Sequence, residues 1–285
     1  MIRSLLFVPG DSTRKFEKAL AGSAGALVLD LEDSVALAGK EAAGAAVREM
    51  LTQPRGDKQL FVRVNPLDSG LLLRDLQAVM AGRPDGIMLP KCGGPQDVIR
   101  LGHYLDAFEA ACGSRAGGTS IIPIVTETPQ AVLNMLGYAS CGPRLWGLLW
   151  GAEDLAAALG ACANRRPDGS YRSPFRLARD LCLMAASAAS VVAIDTVYTD
   201  FKNVDGLRQE ALDGRIEGFG AKAAIHPAQC DTINAAFRPS PDETTWAQAV
   251  LQALKDAPSG GVASLDGKMI DRPHELQALR ILGRQ

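Results

Sequence analysis

The sequence has no apolar run long enough to cross a bilayer, and its N-terminus passes into Arg3-Ser4-Leu5-Leu6-Phe7-Val8-Pro9, whose apolar part is too short for a secretory signal. A cytoplasmic protein with no membrane partner is expected. Cys-X-X-Cys pairs are also lacking. Cys92, Cys112, Cys141, Cys162, Cys182 and Cys230 are scattered without a zinc spacing and read as reduced thiols. Neither sign of charge prevails: the formal net charge is -2, which excludes a broad nucleic-acid-binding face but leaves room for a local anion site. What the chain does have is core material, with 47% hydrophobic against 22% charged residues in 285. That length suits either two domains or one large α/β barrel.

The most informative stretch is Ser120 to Pro129, an apolar run that ends abruptly in Glu127. A second run, Leu145 to Trp150, stops at Gly151 and delivers Glu153 and Asp154. Short continuous apolar segments without alternation suit parallel strands buried on both faces, and acids at their carboxyl ends stand where α/β folds place their chemistry. Two converging carboxylates suit a hard divalent cation such as Mg²⁺, which takes one or two protein carboxylates and fills its other positions with water and substrate oxygens. Alternatively, Glu127 and Asp154 simply open the helices that follow them.

Taken in order, the chain alternates strand and helix. Leu5 to Val8 reads as a first strand, broken at Pro9-Gly10, with Asp11 or Ser12 capping a helix through Leu20. Ala26 to Leu31 follows, ending among Asp30, Glu32 and Asp33, with a helix over Lys40 to Leu51. The third strand is Leu60 to Val64, bearing Arg63, before a helix over Leu71 to Ala81. The fourth is Gly86 to Leu89, ending at Pro90-Lys91, before a helix over Pro95 to Cys112. After the two acidic strands come Val191 to Tyr198, ending near Asp200, and Ala221 to Ile225, ending at His226-Pro227. Asp30, Arg63, Lys91, Glu127 and Asp154 recur at intervals of 27 to 36 positions, the span of one strand-helix unit. Eight such units with polar residues at their strand ends predict a closed TIM (β/α)8 barrel over 1-238 rather than an open sheet. Gly160 to Ser173 is the longest polar interruption and is expected to lie over the barrel mouth. A helical extension over 239-285 follows, with a helix from Asp242 to Leu254 and a glycine-containing break at Pro258-Ser259-Gly260-Gly261.

The blocks RSLLFVPGDS, LVLDLEDSV, FVRVN, GIMLPK, VTETP, WGAEDLAAALGA, AIDTVYTDF, GLRQEA, AKAAIHPAQ and DGKMID span nearly the whole chain. In kind and order they resemble the citrate lyase β-subunit and malyl-CoA lyase family of the HpcH/HpaI-type aldolase superfamily. The sequence departs from that pattern after Lys91, where Cys92-Gly93-Gly94 replaces a segment that usually carries an acid.

The resemblance implies a carbon-carbon lyase in which Glu127 and Asp154 hold Mg²⁺ against the carboxylate and adjacent oxygen of a 2-oxo or 2-hydroxy acid. It implies that Arg63 pairs with a substrate carboxylate or the enolate oxygen, with Glu32 and Asp33 orienting it. A structural salt bridge from Arg63 to Glu32 or Asp33 is the alternative. Coenzyme A, or the thioester arm of an acyl-carrier protein, is expected at the first strand-helix turn, where Arg14 is the phosphate contact by resemblance. The same residues also describe a capped helix with surface cations. His226 is expected to line the pocket without acting as the base. Asp271 resembles the acid that reaches a neighbouring subunit's site in a homotrimer, with the extension packed on that neighbour; otherwise it caps the last helix. Three functions stay open: a lyase acting on a malyl, citramalyl or citryl thioester, a Mg²⁺-dependent thioesterase, and a subunit inert without its carrier partners.

Overall fold

The computed structural model describes residues 2–257 and 261–283, so the break expected at Pro258-Ser259-Gly260 lies outside the described residues. The chain divides into two compact units, one ending at Phe237 and the other beginning at Arg238.

In the first unit β1 (Ser4–Pro9), β2 (Ala26–Asp30), β3 (Gln59–Arg63), β4 (Gly86–Leu89), β5 (Ser120–Pro123), β6 (Gly147–Leu149), β7 (Val192–Asp195) and β8 (Ala221–Ala224) run parallel. Around them lie α1 (Thr13–Leu20), α2 (Lys40–Leu51), α3 (Leu72–Val79), α4 (Pro95–Ala111), α5 (Pro129–Leu133), α6 (Glu153–Leu159), α7 (Ser173–Ala188), α8 (Val204–Glu217) and α9 (Gln229–Ala236). The hydrogen-bonded order is β5-β4-β3-β2-β1-β8-β7-β6. Parallel bridges from Ile121 to Leu145 and from Ile124 to Leu149 close the ring. Closure is sealed by Trp146 N–H donating to the Ile121 carbonyl at 2.9 Å and Val125 N–H to the Leu149 carbonyl at 2.9 Å. The TIM barrel expected from the repeat is therefore the fold. Its sixth unit carries two helices, α6 and α7, joined by the polar loop 160–172.

Strand alternation decides where each side chain goes. Leu5, Ala26, Val28, Phe61, Met88, Ile122, Leu149, Ile194, Ala221 and Ala223 fill the barrel interior, while Leu6, Val8, Leu27, Leu29, Leu60, Val62 and Leu148 face the helices. Asp30 is two residues beyond Val28 and Arg63 two beyond Phe61, so both belong to the inner face. The register sets them directly side by side.

Several ends are shorter than the apolar runs suggest. β7 stops at Asp195, not near Tyr198 or Asp200, because the Asp195 carboxylate accepts the next amide, Thr196 N–H, at 3.0 Å. On the outer face it also takes the Trp150 indole N–H at 2.6 Å and pairs with Arg179 at 3.2 Å and Lys222 at 3.4 Å. Lys222 completes its shell with the Thr196 carbonyl at 2.7 Å and Glu210 at 2.9 Å. Glu210 in turn holds Arg165 of the 160–172 loop at 2.7 Å, and the Arg165 guanidinium stacks 3.8 Å from the Tyr171 ring centroid. Balanced charges and shared hydrogen bonds are what allow these ions to be buried between barrel and helices.

A second buried carboxylate closes the loop between α4 and β5. Glu109 accepts the Gly117 and Thr119 amides at 2.8 Å each and pairs with Arg144 at 2.6 Å. Burial works against its charge, but the Arg144 hydrogen bonds and these amides prevail and hold its pKa at about 2 instead of 4.5. A lowered carboxyl pKa contributes stability that is present above the ordinary value and lost as pH falls through the folded one. Glu109→Gln is thus expected to cost about 3 kcal/mol at pH 7, with the gap to wild type narrowing below pH 4.5 towards about pH 2. Urea unfolding across that pH range measures it; a constant gap would count against the assignment.

The second unit holds α10 (Pro241–Asp256), β9 (Ala263–Leu265), β10 (Lys268–Ile270) and α11 (Arg272–Ile281). Its core is Ala247, Val250, Ile270 and Ala278. Ser240 starts α10 with a capping box, accepting Glu243 N–H at 3.1 Å while the Glu243 carboxylate accepts Ser240 N–H at 2.7 Å. The extension is not purely helical. β9 and β10 form an antiparallel hairpin turning at Asp266-Gly267, both with positive φ (51° and 75°). Asp-Gly favours the type I′ turn, which needs that conformation at both residues, so this hairpin was readable from the sequence.

Candidate active site

The inner face of the β2 and β3 ends carries an ion pair aimed into the mouth. The Arg63 guanidinium donates from Nε to Asp30 Oδ1 and from Nη2 to Asp30 Oδ2, each at 2.7 Å, and Nη1 lies 3.0 Å from Glu32 Oε2. The Phe7 ring backs it at 4.9 Å. Asp30 also accepts Glu32 N–H at 2.9 Å and Ser34 N–H at 3.1 Å. Burial pushes the Asp30 pKa upward, but the Arg63 hydrogen bonds win and lower it. For Arg63 burial likewise opposes the charge, and Asp30 overcomes it, raising the pKa. Glu32 is raised overall by burial despite Arg63 and Lys91. The expected pairing of Arg63 is therefore corrected in part: Asp30 is its main partner, Glu32 the second. Asp33 is a half-exposed neighbour that pairs with Lys91 at 3.7 Å.

Glu127 and Asp154 are positioned by a link between the β5 and β6 ends. Thr126 Oγ1 accepts Gly151 N–H at 2.8 Å and donates to the Gly151 carbonyl at 3.0 Å, locking together the residues that precede the two acids. A β-carbon at Gly151 would stand 3.3 Å from Glu127 Cγ, a tight contact that would press on that side chain. Glu127 does not open α5: Thr128 does, accepting Ala131 N–H at 3.1 Å. Asp154 does lie in the first turn of α6, with 40% of its side chain exposed. Glu127 is 3% exposed, and its Oε2 accepts the main-chain N–H of Lys91. Burial, then repulsion from Asp154 and Glu32, outweighs that bond and pushes its pKa up to about 8. A buried carboxylate repelled by a second one has the electrostatics of a divalent-cation site; the donor set is all oxygen, as a hard ion requires.

Lys91 joins the two halves. Its ammonium is hydrogen-bonded to Glu32 and lies 3.7 Å from Asp33 and 3.8 Å from Asp154. The residue adopts the left-handed conformation, φ 50°. After it, Gly93 N–H donates to Asp97 at 2.7 Å and the Gly93 carbonyl accepts from Asn134 at 2.9 Å.

A family model described as HpcH/HpaI aldolase/citrate lyase matches residues 3–227. The chain belongs to the HpcH/HpaI aldolase/citrate lyase family. A second model, described as C-C bond lyase of the TIM-barrel fold, matches residues 171–285. Among similar proteins, the citrate lyase subunit beta of Escherichia coli strain K12 is 37% identical over 285 residues, covering 99% of this chain and 92% of the relative. A (3S)-malyl-CoA thioesterase of Cereibacter sphaeroides strain ATCC 17029 is 36% identical, with 99% and 94% covered. The crystal structure of CitE from Mycobacterium tuberculosis in complex with magnesium, acetoacetate and coenzyme A superposes with a TM-score of 0.80 at 35% identity, covering 99% of this chain and 97% of that one.

Arg14 lies exposed in the first turn of α1 and takes no part in the contacts above. His226 is stacked on Phe201, ring centroids 5.1 Å apart, and its Nδ1 accepts Ala228 N–H at 3.2 Å. Asp271 belongs to the second unit, where it precedes α11 as N-cap and its Oδ1 lies 2.7 Å from His274 Nδ1. Asp30, Lys91 and Thr126 were missed as site residues. Asp30 and Lys91 stood in the row of polar strand ends, which was the available signal; Thr126 gave none.

Proposed function

We propose that this chain is a Mg²⁺-dependent carbon-carbon lyase that cleaves, or in reverse condenses, a β-hydroxyacyl-CoA thioester of the malyl, citramalyl or citryl type. The observation that carries the reading is the cup itself: a fork-held arginine facing a buried and a half-exposed carboxylate at one end of the barrel. The magnesium, acetoacetate and coenzyme A held by the similar mycobacterial CitE support the ligand classes. Glu127 and Asp154 would hold Mg²⁺, which when bound supplies a Lewis acid for the oxygens of the oxo-acid portion.

Cleavage takes the proton from the β-hydroxyl, turns that carbon into a carbonyl, and leaves the bonding electrons in a thioester enolate that is then protonated at its α-carbon. Arg63, oriented by Asp30 and Glu32, presents its remaining N–H edge to a carboxylate or to the enolate oxygen. Glu32 and Asp33 act through Arg63 and Lys91. Arg14, beside the Pro9-Gly10 turn, is assigned to a phosphate of coenzyme A. Asp271 is assigned to proton transfer in a neighbouring subunit's site, with the 239-285 extension packed on that neighbour in a cytoplasmic homotrimer.

The likeness to the malyl-CoA thioesterase favours hydrolysis at the same cup as a second reading. The likeness to a citrate lyase subunit favours one in which the thioester arrives on an acyl-carrier partner. Incubation of the purified chain with Mg²⁺ and a panel of hydroxyacyl-CoA thioesters separates them. The lyase releases oxo acid with the thioester retained, the thioesterase releases free thiol, and the dependent subunit turns over nothing without its carrier. Asp271 has its own test. Asp271→Ala and Asp154→Ala protomers, each nearly inactive, are expected to regain partial activity when co-assembled. A monomer in solution, or no recovery in verified mixed trimers, returns Asp271 to capping α11.

A further inference from the structure

We infer that Lys91 is a built-in counter-cation that competes with the divalent ion for the acidic cup, so that it sets the affinity of the metal-free protein for metal. The inference rests on the reading of Glu127 and Asp154 as the metal pair.

One residue touches both members of that pair by different means. Its main-chain N–H donates to buried Glu127, and its ammonium stands 3.8 Å from Asp154 and 3.7 Å from Asp33 while bonded to Glu32. The left-handed backbone at Lys91 makes this double approach possible, an uncommon conformation for a lysine. Arg63 cannot neutralise the whole cup, because its fork is committed to Asp30 and its third nitrogen to Glu32. Among the described residues, Asp33 and Asp154 are left with the Lys91 ammonium as their cation, and Glu127 with the Lys91 main-chain N–H. A divalent ion entering beside Asp154 meets the positive charge already there. Its binding free energy is reduced by that repulsion and by the loss of the Lys91–Asp154 attraction.

The side chain is 36% exposed, which leaves the ammonium a route towards solvent when the ion arrives. It also stays tethered to Glu32, which is 4% exposed and shared with Arg63. Such a tether keeps a positive charge at the cup in both states. The protein is therefore spared a bare cluster of acids when metal-free, at the expense of metal affinity.

Binding of Mn²⁺, used as a paramagnetic probe in place of Mg²⁺, is to be measured by electron paramagnetic resonance on the full chain without substrate. Lys91→Gln keeps the main-chain bond to Glu127 and removes only the charge, so the dissociation constant is expected to fall roughly tenfold, the order expected for loss of one nearby unit charge in a water-accessible site. Lys91→Arg, which keeps the charge, should bind as wild type does. If Lys91→Gln folds poorly, Lys91→Met, which keeps the aliphatic stem, carries the same expectation. Unchanged or weaker binding in the neutral variants overturns the inference while leaving the metal pair intact. Binding undiminished in Glu127→Gln plus Asp154→Asn overturns the metal pair itself, and the inference with it.

Discussion

Asp154→Ala is expected to abolish Mg²⁺-dependent turnover, by about a thousandfold or more, while the barrel remains folded. The two halves of that expectation come from its location. Asp154 stands at an exposed helix start, and its ion pair with Lys91 is 3.8 Å long and open to water. Exposed pairs of this kind contribute about 0–1 kcal/mol, so the substitution should barely move the melting temperature. On the proposed assignment it removes one of the two carboxylates that would hold the divalent ion. Glu127→Gln provides the complementary case. The amide keeps an acceptor for Lys91 N–H and cannot ionise at a position where burial, Asp154 and Glu32 already disfavour the charge. The fold should therefore persist in the metal-free state, again without turnover. Circular dichroism and thermal melting beside the thioester assay distinguish loss of site from loss of fold. Full activity in Asp154→Ala, or a crystal structure with the metal bound elsewhere, would sink the assignment.

Arg63→Lys is expected to lower kcat/KM by about a hundredfold to a thousandfold although the charge is kept. Arg63 meets both Asp30 oxygens at 2.7 Å and Glu32 at 3.0 Å. A lysine ammonium is a point donor on a flexible stem, and it cannot span both oxygens of Asp30, reach Glu32 and still offer an edge to substrate. The same loss leaves buried carboxylates short of partners, so a stability cost of about 2–4 kcal/mol should accompany the kinetic one. Kinetics measured well below the lowered melting temperature separate the two effects. Near-normal kcat/KM would mean that charge alone matters or that Arg63 is only structural.

The barrel was legible because its signal is local and repeated. Apolar runs such as Leu60 to Val62 and Ile121 to Ile122 are found as strands covered on both faces, and α2 is found over the same residues the sequence suggested, Lys40–Leu51. The acids that close those runs, Glu127 and Asp154, were visible for the same reason. The resemblance to the family then supplied roles that no periodicity carries.

Partnership was a different matter. Whether Arg63 pairs with Asp30, Glu32 or Asp33 depends on strand register, and only the pairing of β2 with β3 sets Arg63 opposite Asp30. The Lys91 ammonium reaches acids from two separate segments, Glu32 and Asp33 after β2 and Asp154 after β6, because ring closure brings their strand ends to one rim. Asp195 and Lys222 look alike on paper, polar residues within apolar strands, yet alternation turns them away from the mouth and into the layer beneath α7 and α8. Sequence by itself thus determined which residues stand at strand ends and how many strand-helix units there are, since both follow from neighbours along the chain. Tertiary structure alone decided which charges meet and which carboxylate is buried enough to need a cation, because electrostatic energy depends on distance and solvent exclusion between residues far apart in sequence.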